Sequence, residues 1–316
     1  MKNKTGFSNL KIITVAALLV FVFHAAPAAA IDIGLIGGAG NISFDTDGKE
    51  FLSDESNPQA FTPHLFPLIS ATVSGENGFV YYDGGFERDP ILRNRLYANI
   101  GVDLSYFKME AGPFIGLFNT DEEIFNPGFS AALGLQFPGI IFVNVQASSS
   151  LGAALDTVGS YTQKTGGISA GFWVPNVICS LNLSTQTFAR RMEINMLAED
   201  SLDRYFFRAD VFNKNVPFTI KVDIGYASLK RSYSSQNVTV TETSPGNFDA
   251  KIVTAKNTDE YRSIYLGLNA AYTVNPMIKL VLAGEMPVYS WSVPKMKNSD
   301  RGSFLYQASG GIVLSF

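Results

Sequence analysis

The chain has 316 residues with 24 basic and 28 acidic side chains, a formal charge of −4, 46% hydrophobic residues and only 16% charged ones. That balance excludes a nucleic-acid binder, whose footprint is a basic surface, and a lone cysteine, Cys179, excludes a small disulfide scaffold. The chain is rich in Gly (28), Phe (25) and Tyr (13), a composition that suits strands of a membrane barrel.

The N-terminus carries Lys2, Lys4 and Lys11, then the apolar run Ile12 to Phe23, then Ala28-Ala29-Ala30. A basic start, a short apolar core and small residues at the end predict a secretory signal peptide over 1–30, cleaved before Ile31. That segment holds three of the 24 basic residues and none of the 28 acidic ones, so the remainder stands at −7. No later stretch reaches the roughly 18 unbroken apolar residues of a spanning helix. A helical membrane protein is therefore excluded. A β-barrel is not, because its lipid face appears only at alternate positions.

From Ile31 onward, runs of strand length alternate with two kinds of connection. Short ones fall at Glu76-Asn77, Ser105-Tyr106, Pro138-Gly139, Pro175-Asn176, Lys214-Asn215 and Asn275-Pro276, as hairpin turns do. Longer polar ones fall at 45–63, 89–92, 119–127, 152–161, 191–202, 232–259 and 293–303. The strands they separate are 31–44, 64–75, 78–88, 93–105, 107–118, 128–137, 140–151, 162–174, 177–190, 203–213, 216–231, 260–274, 277–292 and 303–316. Short turns at one rim and long loops at the other define an up-and-down barrel. The expected fold is thus all-β, a single antiparallel up-and-down transmembrane β-barrel over 31–316. Fourteen strands fit best, with twelve or sixteen left open. The longest loops, near 45–63, 191–202 and 232–259, would be extracellular. Within the last, 237–242 and 250–254 read as weak strands around Pro245-Gly246.

Strand faces support this. In 216–231, Phe218, Ile220, Val222, Ile224 and Tyr226 alternate with Thr219, Lys221, Asp223 and Gly225, one face for lipid and one for water. Aromatics near strand ends, among them Phe44, Tyr81, Tyr82, Phe137, Trp173, Tyr205, Tyr272, Tyr289, Trp291 and Phe316, fit interfacial girdles. The last strand ends on Tyr306, Ile312, Leu314 and the terminal Phe316. That ending resembles the C-terminal signal by which the assembly machinery of diderm bacteria recognises outer-membrane β-barrels. In size and rhythm the chain resembles fourteen-stranded monomeric porins of the OmpG type. The resemblance rests on pattern alone and carries no functional residues across. It implies a monomer in the bacterial outer membrane, with lipid, the assembly machinery and small solutes as partners.

The lumen is then where function resides. Inward positions of strands three to five carry Asp83, Glu87, Asp103 and Glu110, and those of strands nine to eleven carry Arg190, Arg204, Arg208, Lys221 and Arg231. Nearly diametric acids and bases would set a transverse field on passing solutes. The alternative is local pairing, for instance of Arg208 or Lys221 with Asp210 or Asp223. Of the two histidines, His24 lies in the leader and His64 has no Ser or acid placed beside it by a motif, so no enzyme, metal or cofactor is expected. The leading function is passive diffusion of small hydrophilic solutes. The alternatives are a transporter of hydrophobic substrates resembling the FadL group and a structural or adhesive surface barrel.

Overall fold

Alternating side chains leave each strand with one face for lipid and backbone groups that need partners on both edges, and closing the ring satisfies those edges. The computed structural model describes residues 30–41, 65–118, 125–151, 155, 157–212, 216–244, 247–293 and 306–316. Its strands are β1 (Ala30–Gly40), β2 (Phe66–Asn77), β3 (Val80–Asp89), β4 (Arg93–Leu104), β5 (Phe107–Leu117), β6 (Phe125–Phe137), β7 (Ile141–Ser150), β8 (Tyr161–Val174), β9 (Val177–Glu193), β10 (Met196–Phe212), β11 (Phe218–Ser244), β12 (Asn247–Asn275), β13 (Ile278–Val293) and β14 (Gln307–Ser315). Each pairs antiparallel with its sequence neighbour, and β1 pairs with β14 to close the ring. The count is fourteen. Residues 1–29, which hold nearly all of the expected leader, and the expected loop 45–63 lie outside the described residues.

The closing seam runs in register from Asp32↔Ser315 to Gly40↔Gln307. Its last rung is the chain end itself: the Phe316 amide donates to the Ile31 carbonyl at 2.9 Å, and the Ile31 amide donates back at 3.2 Å. The Phe316 ring is 66% exposed on the outer surface. Deleting Phe316 is expected to lower the yield of assembled barrel in the membrane, read by heat-modifiable gel mobility, while barrels that do assemble conduct as before. Normal assembly of the deletion would reduce this residue to an ordinary strand end.

Five of the six short turns lie where the sequence places them, or one to two residues later, and the sixth, Lys214-Asn215, lies outside the described residues. Gly78 (φ +64°), Gly139 (φ +77°) and Asn176 (φ 63°) occupy the left-handed region, which Gly and Asn enter at least cost. Three expected loops differ. The segment 89–92 is a three-residue turn, Pro90 to Leu92. The segment 191–202 is not a loop: β9 runs to Glu193 and β10 starts at Met196. Except for Pro245-Gly246, which lie outside the described residues, the segment 232–259 is a continuation of β11 and β12, paired without a break in register as far as Glu242↔Phe248. The weak strands expected inside it are part of this one long hairpin.

Inner and outer faces are fixed by contacts that skip strands, which only a concave surface allows. Arg95 on β4 reaches the Ser148 hydroxyl on β7 at 3.1 Å, and Arg204 on β10 reaches Glu285 on β13 at 3.3 Å. The opposite face exposes Leu133, Leu135, Val143, Val145, Leu181 and Leu183. Two aromatic rows bound that apolar surface. At the short-turn rim Tyr106, Phe137, Phe172, Phe218 and Tyr272 point outward and are 47% exposed or more. Higher up, Tyr205, Tyr226, Tyr289 and Trp291 form a chain of rings with centroids 5.6–6.2 Å apart. Eight residues separate Phe218 from Tyr226, about 27 Å of strand, or about 21 Å of height at a 40° tilt, near the ~25 Å apolar band of membrane barrels. Tyr81 and Trp173, expected in the girdles, face inward instead. Phe44 lies outside the described residues.

Above the upper row the alternation inverts. Inward positions of β10 and β11 become mostly apolar (Met196, Ala198, Leu202, Ala227, Leu229), all 4% exposed or less, with Asp200 and Arg231 paired among them, while outward ones include Glu199, Ser201, Ser228, Lys230 and Ser232. Water has replaced lipid outside, so the chain hides its apolar side chains inside. On β13 the phase is reset by a bulge opposite Ile264/Tyr265, where Val288 is the extra residue. That shift is what turns Tyr289 and Trp291 outward.

Candidate solute pathway in the barrel lumen

Below the inversion the lumen is polar and open. One cavity of about 380 Å³ is bordered by Tyr81, Lys108 and Glu110 on one side and Phe206 and Arg208 on the other. A second, of about 430 Å³, opens at the short-turn rim beside Asp32, Glu76, Asp83 and Asp103. Strand alternation brings these side chains onto one surface, since β3 presents Tyr81, Asp83 and Glu87, β4 presents Arg95 and Asp103, and β5 presents Lys108 and Glu110.

Most of the charges are held by immediate neighbours. Glu87 pairs with Arg95 at 2.7 Å and Asp103 with Lys108 at 3.6 Å, in both cases across the β3–β4 or β4–β5 rungs. Arg208 grips Asp223 through two bonds of 2.7 and 2.8 Å, and Lys221 lies 3.4 Å from Asp210. Arg204 is 3.3 Å from both oxygens of Glu285. Arg231 holds Asp200, and the Arg190 guanidinium sits 5.8 Å from the centre of the Phe118 ring. The bases therefore do not face bare acids across the lumen. Neighbouring strands are only about 4.8 Å apart, much closer than opposite walls, so local attraction wins. Asp83 and Glu110 are different. Neither has a cation within ion-pair distance among the described residues, and Glu110 accepts from the Tyr81 hydroxyl at 3.0 Å.

Above the inversion the lumen is filled. Ile91, Tyr161, Phe188, Leu202, Ala227, Leu229, Tyr261 and Tyr265 form one packed cluster at 0–3% exposure, with Phe118 set edge-to-face against Phe188 and Tyr161 at centroid distances of 5.0 and 5.6 Å. Ile91 belongs to the β3–β4 turn, which leans into the mouth. Asp89 folds that turn by accepting from the Ile91 and Leu92 amides, both at 2.7 Å. Gln163 on β8 donates to the Leu92 carbonyl, and Gln186 on β9 donates to Asp89 at 3.3 Å. Arg93 leaves the turn at φ 68°, a conformation that L side chains adopt only where the surroundings demand it. It lies 3.9 Å from Asp200. On the outer face, Arg262 donates two bonds of 2.8 and 2.9 Å to Glu260.

Asp200, Glu285 and the Ile91 turn are the partners that sequence reading left without a role. Asp200 and Ile91 fell in segments expected to be loops. The inward alternation of Met196, Ala198, Asp200 and Leu202 was the available signal. His64 lies outside the described residues. Among the described residues no group of three His, Cys, Asp or Glu side chains stands close enough to hold a metal ion.

A closed fourteen-stranded antiparallel ring with an apolar belt, two aromatic rows and a polar interior is a β-barrel of the porin-like outer-membrane type. No protein-family model matches the sequence, and no curated protein matches it. Among solved structures the chain is similar to a porin (10% identity over 91% of this chain and 99% of that one, TM-score 0.40). It is similar also to a bacterial polysaccharide outer membrane secretin (9%, over 90% and 98%, TM-score 0.47). OmpT, an outer membrane protein of Vibrio cholerae, is a further neighbour (11%, over 92% and 98%, TM-score 0.40). At such identities the likeness concerns the fold alone.

Proposed function

We propose that the protein is a narrow, porin-like channel of the bacterial outer membrane, through which small hydrophilic solutes diffuse. The observation that carries this reading is the polar vestibule: a lumen lined by amides, hydroxyls and neutralised ion pairs, open at the short-turn rim, inside an apolar belt. The leader-like residues 1–30 support export to that membrane, and the β1–β14 seam, closed by backbone bonds between Ile31 and Phe316, supports a ring without open edges within it. Short turns would then face the periplasm, and the tall β9–β12 wall the exterior. A transporter of hydrophobic substrates would need apolar side chains free to line a path. Here they are packed on one another at the mouth.

The charge layout gives the test. With Arg204, Arg208 and Lys221 locally neutralised, the unpaired Asp83 and Glu110 leave the vestibule negative, and cations are favoured. Reversal potentials across planar bilayers under a KCl gradient are expected to shift towards anions in Asp83→Asn/Glu110→Gln. They are expected to shift further towards cations in Arg204→Ala/Arg208→Ala/Lys221→Ala, which bares Glu285, Asp223 and Asp210. Unchanged potentials in both variants would contradict a solute path along this wall.

A further inference from the structure

Between the charged groups bordering the 380 Å³ cavity, the lumen wall of β6 to β9 carries none. It presents Asn144, Gln146, Ser169, Asn182 and Ser184, with the Phe206 ring at its far edge. Two glycines give this wall its shape. Gly134 on β6 stands opposite Asn144, and Gly167 on β8 opposite Gln146. A Cβ on Gly134 would lie 2.5 Å from the Asn144 amide oxygen, and one on Gly167 would lie 3.0 Å from the Gln146 amide nitrogen. The glycines thus let both amides lie flat across the neighbouring strands. The result is a shallow trough floored by amide planes rather than a wall of projecting side chains.

The hydrogen bonds within the trough leave it open to a ligand. Asn182 spends its amide nitrogen on the Ser180 hydroxyl at 2.9 Å, which leaves its oxygen as an acceptor. Asn144 donates only a long bond of 3.4 Å to Ser169, and Gln146 is exposed to the lumen. Phe206 has the Arg208 guanidinium 5.1 Å from its ring centre. Donors and acceptors alternate here without net charge, beside a partly buried ring whose remaining surface faces the cavity.

We propose that this trough is a binding site for a neutral polyhydroxylated solute, a short oligosaccharide, held by Asn144, Gln146, Asn182 and Ser184 with a C–H face of one sugar ring against Phe206. A polyol offers a donor and an acceptor at each hydroxyl, which amides and serines match pair by pair. An ion would find no bare counter-charge on this wall, and an apolar ligand would strand its amides. The inference rests on the channel reading for its route of entry, and its test is separable from that reading.

Maltotriose is the probe, titrated onto the refolded barrel and followed by saturation-transfer NMR. Binding in the millimolar range is expected, weakened roughly tenfold or more in Asn144→Leu/Gln146→Leu, which keeps bulk but removes two amides, and likewise in Phe206→Ala. Gly167→Ala provides a milder variant that lifts the Gln146 amide without removing it, should the double variant fail to fold, and it too is expected to weaken binding. Absence of transfer to maltotriose in the wild-type barrel, or equal affinity in the folded variants, would overturn the proposal. KCl conductance of the same preparation separates the two ideas. A conducting barrel that ignores maltotriose defeats the trough alone, whereas one that binds maltotriose without conducting defeats the channel and leaves the trough standing.

Discussion

Arg231→Ala is expected to cost about 3–5 kcal/mol of stability, read as a lowered midpoint of urea unfolding of the refolded barrel. Arg231 is 1% exposed and Asp200 5%, and the guanidinium grips both carboxylate oxygens. Removing it leaves a buried carboxylate whose other ion pair among the described residues is Arg93 at 3.9 Å. The double variant Arg231→Met/Asp200→Leu is expected to recover most of the loss, because an apolar pair of similar bulk leaves no buried charge uncompensated. Lys221→Ala is the contrast. Its ammonium is 48% exposed at 3.4 Å from Asp210, so its loss changes stability by at most about 1 kcal/mol. Equal effects at the two sites would mean that the upper lumen is as wet as the lower.

Tyr161→Ala/Phe188→Ala is expected to raise single-channel conductance several-fold. The two rings lie 5.6 Å apart at 1% exposure each, and the Tyr161 hydroxyl donates to the Gly116 carbonyl at 2.8 Å across the mouth. They bridge the leaning β3–β4 turn and the tall wall. Truncating each costs about 3–5 kcal/mol of packing, so the single variant Phe188→Ala, still heat-modifiable on gels, is the companion measurement and is expected to give a smaller rise. A folded variant with wild-type conductance would place the narrowest point elsewhere.

The ring itself was legible because lipid enforces alternation. Phe218 to Tyr226 reads as a two-faced strand for the plain reason that one face meets hydrocarbon and the other water. The upper barrel was not legible by that rule. Residues such as Glu199 and Asp200 look like loop chemistry, yet they belong to β10, where water lies outside and the core lies within. The phase inverts after Tyr205 and Tyr226, and a reader following apolar-out alternation stops at the girdle. The lumen charges were found by residue type, and their inward placement follows from the register. Local pairing of Arg208 and Lys221 with Asp223 and Asp210 was legible as the alternative to a transverse field, whereas the Arg204–Glu285 pair was not, because β13 lies three strands from β10. The floor of the lumen trough was hidden for a similar reason: Gly134 and Gly167 matter only once their cross-strand partners are known.

The central claim is an asymmetric lumen, a polar vestibule entered from the short-turn rim and narrowed at the opposite mouth by the Tyr161–Phe188 cluster. The direct measurement is KCl conductance of the barrel in a planar bilayer with graded polyethylene glycols added to one side and then to the other. The predicted result is that larger polymers depress the current from the short-turn side than from the long-turn side, and that Tyr161→Ala/Phe188→Ala abolishes the difference. Equal size limits from both sides, or a wild-type barrel that passes no current, would contradict it.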